Sequence, residues 1–233
     1  MKFWSPKNVQ ISVVALITLV GSVSNGNEFT RIFNGKDLAG WSGTKSIWSV
    51  EDGAITGVTT KESPLKNNEF LVWDGKVADF EFKAEFRLKG NNNSGVQYRS
   101  AQFGEPSAFR VRGYQADIHG KPEFTGMLYD EGGRGIVAQR GQKVRVNKDA
   151  KIEVVGNTTE VVSVDLTQWT RIEIQAVGNR LVHKINGKTT VVITDDDEKN
   201  RDFEGIIALQ VHQGAPMKIQ FRNVMIKHIK KPK

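Results

Sequence analysis

The chain has 233 residues, 33 Lys and Arg against 26 Asp and Glu, a formal charge of +7 and no cysteine. Disulfides and a cysteine nucleophile are therefore excluded, and stability must come from a buried core, which this length can form. The positive excess sits partly in the tail Lys227-His228-Ile229-Lys230-Lys231-Pro232-Lys233, which reads as a solvated tail rather than the aromatic-interleaved basic patch that nucleic acid needs.

The first segment reads as a leader rather than as fold. Lys2 and Lys7 precede an apolar run at residues 11–20, and Ser22 and Ser24 supply small residues at the −3 and −1 positions of a cut after Ser24. That is the pattern of a secretory signal peptide over residues 1–24. The run is shorter than the about 20 residues of a membrane-spanning helix, and with no cysteine after it a lipid anchor is excluded. Residues 25–233 are expected to form one exported domain, periplasmic or secreted, with no stable membrane insertion after cleavage. Removing Lys2 and Lys7 lowers the formal charge from +7 to +5.

Period-two patterning then dominates. Ile32-Phe33 ends a short strand, Asn34-Gly35 turns it, since both types tolerate positive φ, and Trp41 follows as an apolar anchor. Phe80, Phe82, Ala84, Phe86 and Leu88 alternate with Glu81, Lys83, Glu85 and Arg87, the mark of a half-buried strand. Asn92-Asn93-Ser94 and Asn157-Thr158-Thr159 match glycosylation sequons. The segment from Trp169 to Val177 alternates again. Gly178-Asn179 turns it into residues 180–185, and Asn186-Gly187 turns that into residues 188–193, the strongest short hairpin signal. The acidic run Asp195-Asp196-Asp197-Glu198 reads as a solvated turn. Residues 205–212 and 217–229 are further strands. No segment holds a helical period. About a dozen strands in one domain predict two packed antiparallel sheets.

Three strands carry polar residues in phase. Gln97 and Arg99 share one face; so do Gln115, Asp117 and His119, and so do Ala208, Gln210 and His212, because strand side chains repeat every two residues. If these strands are neighbours, they build a polar groove of the kind that binds sugars. The blander alternative is an ordinary solvent-facing sheet, but clearly solvated faces here carry Glu, Lys and Thr. Between the second and third strands, Tyr129 and Glu131 leave the segment before Gly132-Gly133 together, able to offer a phenol or a carboxylate. A divalent metal is possible if His119, His212 and Asp117 converge; no cofactor is required by the sequence. His183 and His228 fit structural positions. No Gly-x-Ser-x-Gly elbow occurs.

The motifs together resemble one family, the 3-keto-disaccharide hydrolase domain, from about Glu28 to Lys227. Residues 33–41 are similar to its opening motif, Asn93-Ser94-Gly95-Val96-Gln97-Tyr98-Arg99 to its Asn-Ser-Gly strand, and Thr125-Gly126-Met127-Leu128-Tyr129 to its Thr-Gly segment. Gly113-Tyr114-Gln115-Ala116-Asp117-Ile118 resembles its Gly-Tyr-Glu strand, with Gln115 where an acid is usual and Asp117 where Gln is usual. Residues 205–212 and Phe221-Arg222-Asn223-Val224 resemble its closing pair. The resemblance implies an all-β jelly-roll sandwich, similar to concanavalin A-like lectins and to laminarinase-type glucanases. Those glucanases carry Glu-x-Asp-x-Glu; the strand here reads Gln115-Ala116-Asp117-Ile118-His119, so the carboxyl pair of ordinary retaining hydrolysis is missing from it.

The family tie implies a 3-keto-glycoside substrate and cleavage by elimination. A ketone at carbon 3 acidifies the hydrogen on carbon 2, so one base suffices, with an enolate stabiliser and a donor to the leaving oxygen. On this reading Asp117 or His212 is the base, Arg99 stabilises the enolate with Arg222 in reserve, and Tyr129 or Glu131 is the donor. Gln97, Gln115, Gln210 and Arg222 bind substrate. A lectin-like carbohydrate-binding module and an interaction domain are the alternatives. Glycoside, anomer and oligomeric state stay open.

Overall fold

The alternation at residues 80–88 becomes a strand with Phe80, Phe82, Ala84, Phe86 and Leu88 buried and the charged residues between them half-buried. The same logic builds the rest. The computed structural model describes residues 28–158 and 163–230, apart from Met1; the expected signal peptide lies outside the described residues.

Seventeen strands are found among them, more than the dozen expected, because several are very short. The sequence-first ones are β1 (Thr30–Arg31), β2 (Trp41–Ser42), β3 (Trp48–Glu51), β4 (Ala54–Thr59), β5 (Glu69–Val77), β6 (Phe80–Lys89) and β7 (Asn93–Phe103). Then come β8 (Arg110–His119), β9 (Leu128–Glu131), β10 (Gly135–Ala138), β11 (Gln142–Val146) and β12 (Ile152–Asn157). The last are β13 (Thr170–Val177), β14 (Arg180–Ile185), β15 (Lys188–Asp195), β16 (Gly205–Val211) and β17 (Met217–His228). The only helical turns among the described residues are two three-residue 3₁₀ segments, Pro106–Ala108 and Pro122–Phe124.

A ten-stranded sheet runs β12-β11-β15-β14-β13-β6-β17-β4-β3, with β1 beside β17; a seven-stranded sheet runs β10-β9-β8-β7-β16-β5-β2. Their inner faces make the core. Across the smaller sheet, Leu71, Leu209, Val96, Ala116 and Leu128 stand in one register row, all fully buried. They belong to the same apolar cluster as Phe82, Phe86, Ile172, Ile174 and Phe221 of the larger sheet. Each of the larger of these side chains removed from water is worth about 1.5–3 kcal/mol.

Turn chemistry holds as expected. Asn34 Oδ1 accepts from the backbone N–H of Lys36 at 2.7 Å and of Asp37 at 3.0 Å, and Trp41 Nε1 donates to Ile32 O at 2.7 Å. Between β14 and β15, Asn186 and Gly187 have φ of 49° and 79°, the positive pair that a two-residue hairpin turn requires. His183 is structural: Tyr98 Oη lies 2.8 Å from its Nε2, and its Nδ1 faces Gly126 O at 3.3 Å. Burial holds this imidazole neutral down to about 4.

Two expectations are corrected. The sheets are not wholly antiparallel, since β11 and β15 pair in parallel; β11 enters the large sheet from β10 of the small one and so arrives from the other end. The acidic run is not a solvated turn either. Asp195 and Asp197 are each 1% exposed. Arg134 donates to Asp130 Oδ2 and Asp195 Oδ2 at 2.8 Å each and reaches Asp197 Oδ2 at 3.4 Å, and Tyr114 Oη donates to Asp195 at 2.6 Å.

Candidate functional site

One residue along each strand from the buried row, side chains point out of the smaller sheet. Register sets Gln210 beside Gly95, Gly95 beside Asp117, and Gln97 beside Gln115, which in turn faces Tyr129. The three polar strands singled out by phase are thus neighbours, in the order β8-β7-β16, with β9 beside β8. They floor a hollow of about 360 Å³ lined by Asn68, Asn93, Gln115, Asp117, His119, Met127, Tyr129, Glu131, Ile136, His212 and Gln213. A larger hollow of about 550 Å³ lies at the Arg134 network, where the arginine compensates the buried carboxylates; it shares only Glu131 with the first.

Asp117 is 1% exposed. Its Oδ1 lies 2.8 Å from the Gln115 side-chain amide, and Asn93 Nδ2 donates to Oδ2 at 3.4 Å. Burial pushes its carboxyl up to about 7, against the pull of Gln115 and Asn93 and with the Glu131 charge adding to the push. Gly95 makes this packing possible: a Cβ there would lie 2.5 Å from Gln115 Cγ and Cδ, so Gln115 can lie over β7 only where β7 has no side chain.

Glu131 comes from β9 with its Oε1 accepting from Asn68 Nδ2 at 3.2 Å and its Oε2 facing Gln210 Nε2 at 3.5 Å. Burial raises its pKa despite those bonds and nearby His212. Tyr129, on the same face, is raised by burial and then by Glu131 and Asp117. The hollow therefore holds two carboxyl groups, one more than the strand Gln115–His119 supplies, because Glu131 arrives from the neighbouring strand.

The two histidines present different nitrogens. His212 Nδ1 lies 2.6 Å from Gln213 O; a carbonyl can only accept, so Nδ1 carries the hydrogen and Nε2 of the neutral ring keeps its lone pair. His119 Nδ1 accepts from the backbone N–H of Lys121 at 2.9 Å, so its neutral ring carries the hydrogen on Nε2. Burial, then Lys121, lowers the His119 pKa and keeps that ring neutral.

Two arginines expected in the groove are elsewhere. Arg99 sits at a break in the β7–β8 register between Tyr98 and Ala101, with φ of 48°. This bulge cancels the alternation that put Arg99 beside Gln97. Its guanidinium is buried at the sheet end, donating to Ala78 O and Gly178 O at 2.7 Å each and to Asp79 Oδ1 at 2.9 Å. Arg222 lies on β17 of the other sheet, donating to Glu85 Oε2 at 2.6 Å with its guanidinium 4.0 Å over the Trp169 ring. Gln97 and Gln210 are fully buried and sit beneath the hollow rather than lining it. Asp117, His119 and His212 all line it, but no group of three His, Asp or Glu among the described residues is placed to hold a metal ion.

Phase reasoning missed the asparagines. Asn93 shares the face of Gly95 and Gln97 and its Oδ1 is buried without a partner among the described residues. Asn92 belongs to a sequon, yet its Nδ2 donates to His212 O and Gln213 O at 3.3 Å and to Ala215 O at 2.5 Å. That amide holds the loop carrying His212 and is engaged. Asn68 accepts from Gln213 N at 3.1 Å, tying the same loop to Glu131. Extending the strand phase two residues back from Gly95 would have found Asn93; the loop contacts have no sequence signal.

A family model described as a 3-keto-alpha-glucoside-1,2-lyase-like domain matches residues 28–227. A search of the curated proteins finds no match. Among solved structures, a Parabacteroides distasonis ATCC 8503 protein provisionally described as a glycosyl hydrolase aligns at TM-score 0.58 and 19% identity, over 87% of this chain and 100% of that one. The β-glucanase of Bacillus licheniformis aligns at TM-score 0.56 and 12% identity, over 89% and 100%. The carbohydrate-binding module CBM66 of Bacillus subtilis aligns at 0.54 and 15%, over 81% and 95%. At these identities the likeness shows the fold, a jelly-roll β-sandwich.

Proposed function

Since the chain belongs to the 3-keto-alpha-glucoside-1,2-lyase-like domain family, we propose that it cleaves the glycosidic bond of 3-keto-glycosides by elimination at carbon 2. The observation that carries the reading is one hollow gathering a lone-pair nitrogen at His212, a buried carboxyl at Asp117, and the side chains of Glu131 and Tyr129. His212 Nε2 takes the carbon-2 proton, and the electron pair of that C–H bond passes into an enolate on the carbon-3 oxygen. The enolate then collapses, re-forming the ketone and a carbon 1–carbon 2 double bond while the carbon 1–oxygen bond breaks. Glu131 or Tyr129 gives a proton to the leaving oxygen. Water adding at carbon 1 completes a net hydrolysis; without it the unsaturated sugar is the product.

With Arg99 and Arg222 elsewhere, the enolate needs other donors. Neutral Asp117 and the Nε2–H of His119 fill that role, as a carboxylic acid kept neutral by its surroundings does in other enolate chemistry. Asp117 is also too enclosed for a nucleophile, with an amide against each oxygen. The unpartnered Asn93 Oδ1 suits a sugar hydroxyl.

The test is turnover of a 3-keto-glucoside carrying deuterium at carbon 2, beside its unoxidised parent. The expected result is release of the aglycone sugar, deuterium lost to water or a slowed rate, and no reaction of the parent. His212→Ala is expected to lose about 10²–10⁴-fold in kcat. Hydrolysis of the parent with deuterium retained rules the mechanism out. Saturable binding without release supports the carbohydrate-binding module that the likeness to CBM66 raises.

A further inference from the structure

Asp117 is the end of a chain of three side chains that runs into the sheet: Asp117 Oδ1 meets the Gln115 amide at 2.8 Å, and that amide meets the Gln97 amide at 3.0 Å. Gln97 and Gln115 are both buried, at 0% and 1% exposure, so their amides are oriented by hydrogen-bond partners rather than by water. Two arrangements are open to them. If Asp117 is ionised, Gln115 Nε2 must donate to it, Gln115 Oε1 must accept from Gln97 Nε2, and Gln97 Oε1 is driven to the far end. There it would face Tyr114 O at 3.1 Å and Gly113 O at 3.3 Å. Both are backbone carbonyls, which cannot donate, so three acceptors would be left face to face in a buried site. Ser100 Oγ, 2.9 Å from the same atom, does not decide between the two, because a hydroxyl both donates and accepts.

Turning Gln97 over removes that conflict, since its Nε2 then donates to Tyr114 O and to Ser100 Oγ. Gln97 Oε1 now points at Gln115, which must turn as well and donate through Nε2. Gln115 Oε1 then faces Asp117 Oδ1 at 2.8 Å, and two oxygens at that distance need a hydrogen between them. We propose that Gln97 and Gln115 form a two-amide relay, anchored on β8 backbone carbonyls opposite the β7 bulge, that fixes a proton on Asp117 in the resting protein. The relay residues are positioning residues and touch no substrate.

The surroundings agree. Asp117 is faced by Glu131 and Tyr129 from β9, by His119 from its own strand, by Asn93 from β7 and by His212 from the end of β16. No lysine or arginine lines the hollow. Burial, the largest influence on Asp117, acts in the same direction as the relay. The use of this acid as an enolate donor rests on the elimination reading; its proton does not.

The test needs no substrate. Side-chain carboxyl carbon NMR, with Asp117→Asn identifying the signal, follows the titration of Asp117 in the wild type and in Gln97→Leu. With Gln115 turned away from donating to the carboxylate, the wild-type midpoint is expected above the value of about 7 that holds when Gln115 donates to it. Gln97→Leu frees Gln115 to turn and donate to the carboxylate, so the midpoint is expected to fall by about one unit or more, tenfold in proton affinity. In the wild type, coupling across the hydrogen bond is expected from Gln115 Nε2 to the Gln97 carbonyl carbon. Coupling in the reverse sense, a wild-type midpoint below about 5, or an unchanged midpoint in Gln97→Leu overturns the relay. The coupling decides the matter even if Gln97→Leu does not fold. A protein that fails to cleave 3-keto-glucosides overturns the functional reading and leaves the relay standing.

Discussion

Asp117 and His183 are both buried ionisable residues, and their linkage to stability has opposite signs. The Asp117 pKa is raised from 3.8 to about 7, so the folded protein binds this proton more tightly than the unfolded chain. Its contribution to stability is complete below 3.8 and is lost as pH rises through about 7. Asp117→Asn keeps a donor toward Gln115 and has no charge to bury. Relative to wild type, it is expected to gain roughly 2 kcal/mol of stability between pH 5 and pH 8, read from urea midpoints at both pH values; an equal difference at both contradicts a raised Asp117. His183 is lowered from 6.5 to about 4, so its contribution is lost as pH falls from 6.5 toward 4, in wild type and variant alike. His183 was expected at a structural position, but the setting of Asp117 was not visible from the sequence. Strand phase put Asp117 on the right face, but how deep it sits depends on Gln115 lying over Gly95.

At the scale of the element, β7 shows how one irregularity re-aims a strand. Up to Tyr98 its residues keep phase, and Gln97 faces Gln115. At Arg99 the left-handed backbone turns the guanidinium to the carbonyls of Ala78 and Gly178 and the carboxylate of Asp79. The arginine thereby fastens β7 to the turns after β5 and β13. Arg99→Leu leaves two buried carbonyls and a nearly buried carboxylate without their donor, and is expected to cost about 3–5 kcal/mol, measured by denaturant unfolding. Catalytic constants of the folded fraction are expected to hold. A stable Arg99→Leu protein with kcat reduced a hundredfold would return Arg99 to the chemistry.

Across the whole molecule, the two sheets are joined by the core and by a charged lock at one end. Arg134 follows β9 of the smaller sheet and pairs with Asp130 beside it and with Asp195 at the end of β15 in the larger one. Tyr114 adds a bond to Asp195 from β8. Removing the cation strands carboxylates that the fold has already desolvated. Arg134→Met is expected to lower stability by about 3–5 kcal/mol without changing the denaturant m-value, since the same surface is exposed on unfolding. A loss under about 1 kcal/mol would mean that water reaches these carboxylates.

The sequence by itself determined the all-β class, the two-sheet layering, the hairpins at Gly178-Asn179 and Asn186-Gly187, and the face shared by Gln115, Asp117 and His119. These follow from local rules: side chains alternate along a strand, and glycine and asparagine accept positive φ. The family was legible for the same reason, since its motifs are short runs whose residues act together within one strand or turn. Tertiary structure decided what those rules cannot reach. It placed Arg99 at a bulge, Arg222 on the opposite sheet, Asp195 and Asp197 under Arg134, and the Asn68 and Asn92 amides under the loop that carries His212. Each depends on which strands lie side by side and on what desolvates a charge, and both are set by contacts between residues far apart in the chain.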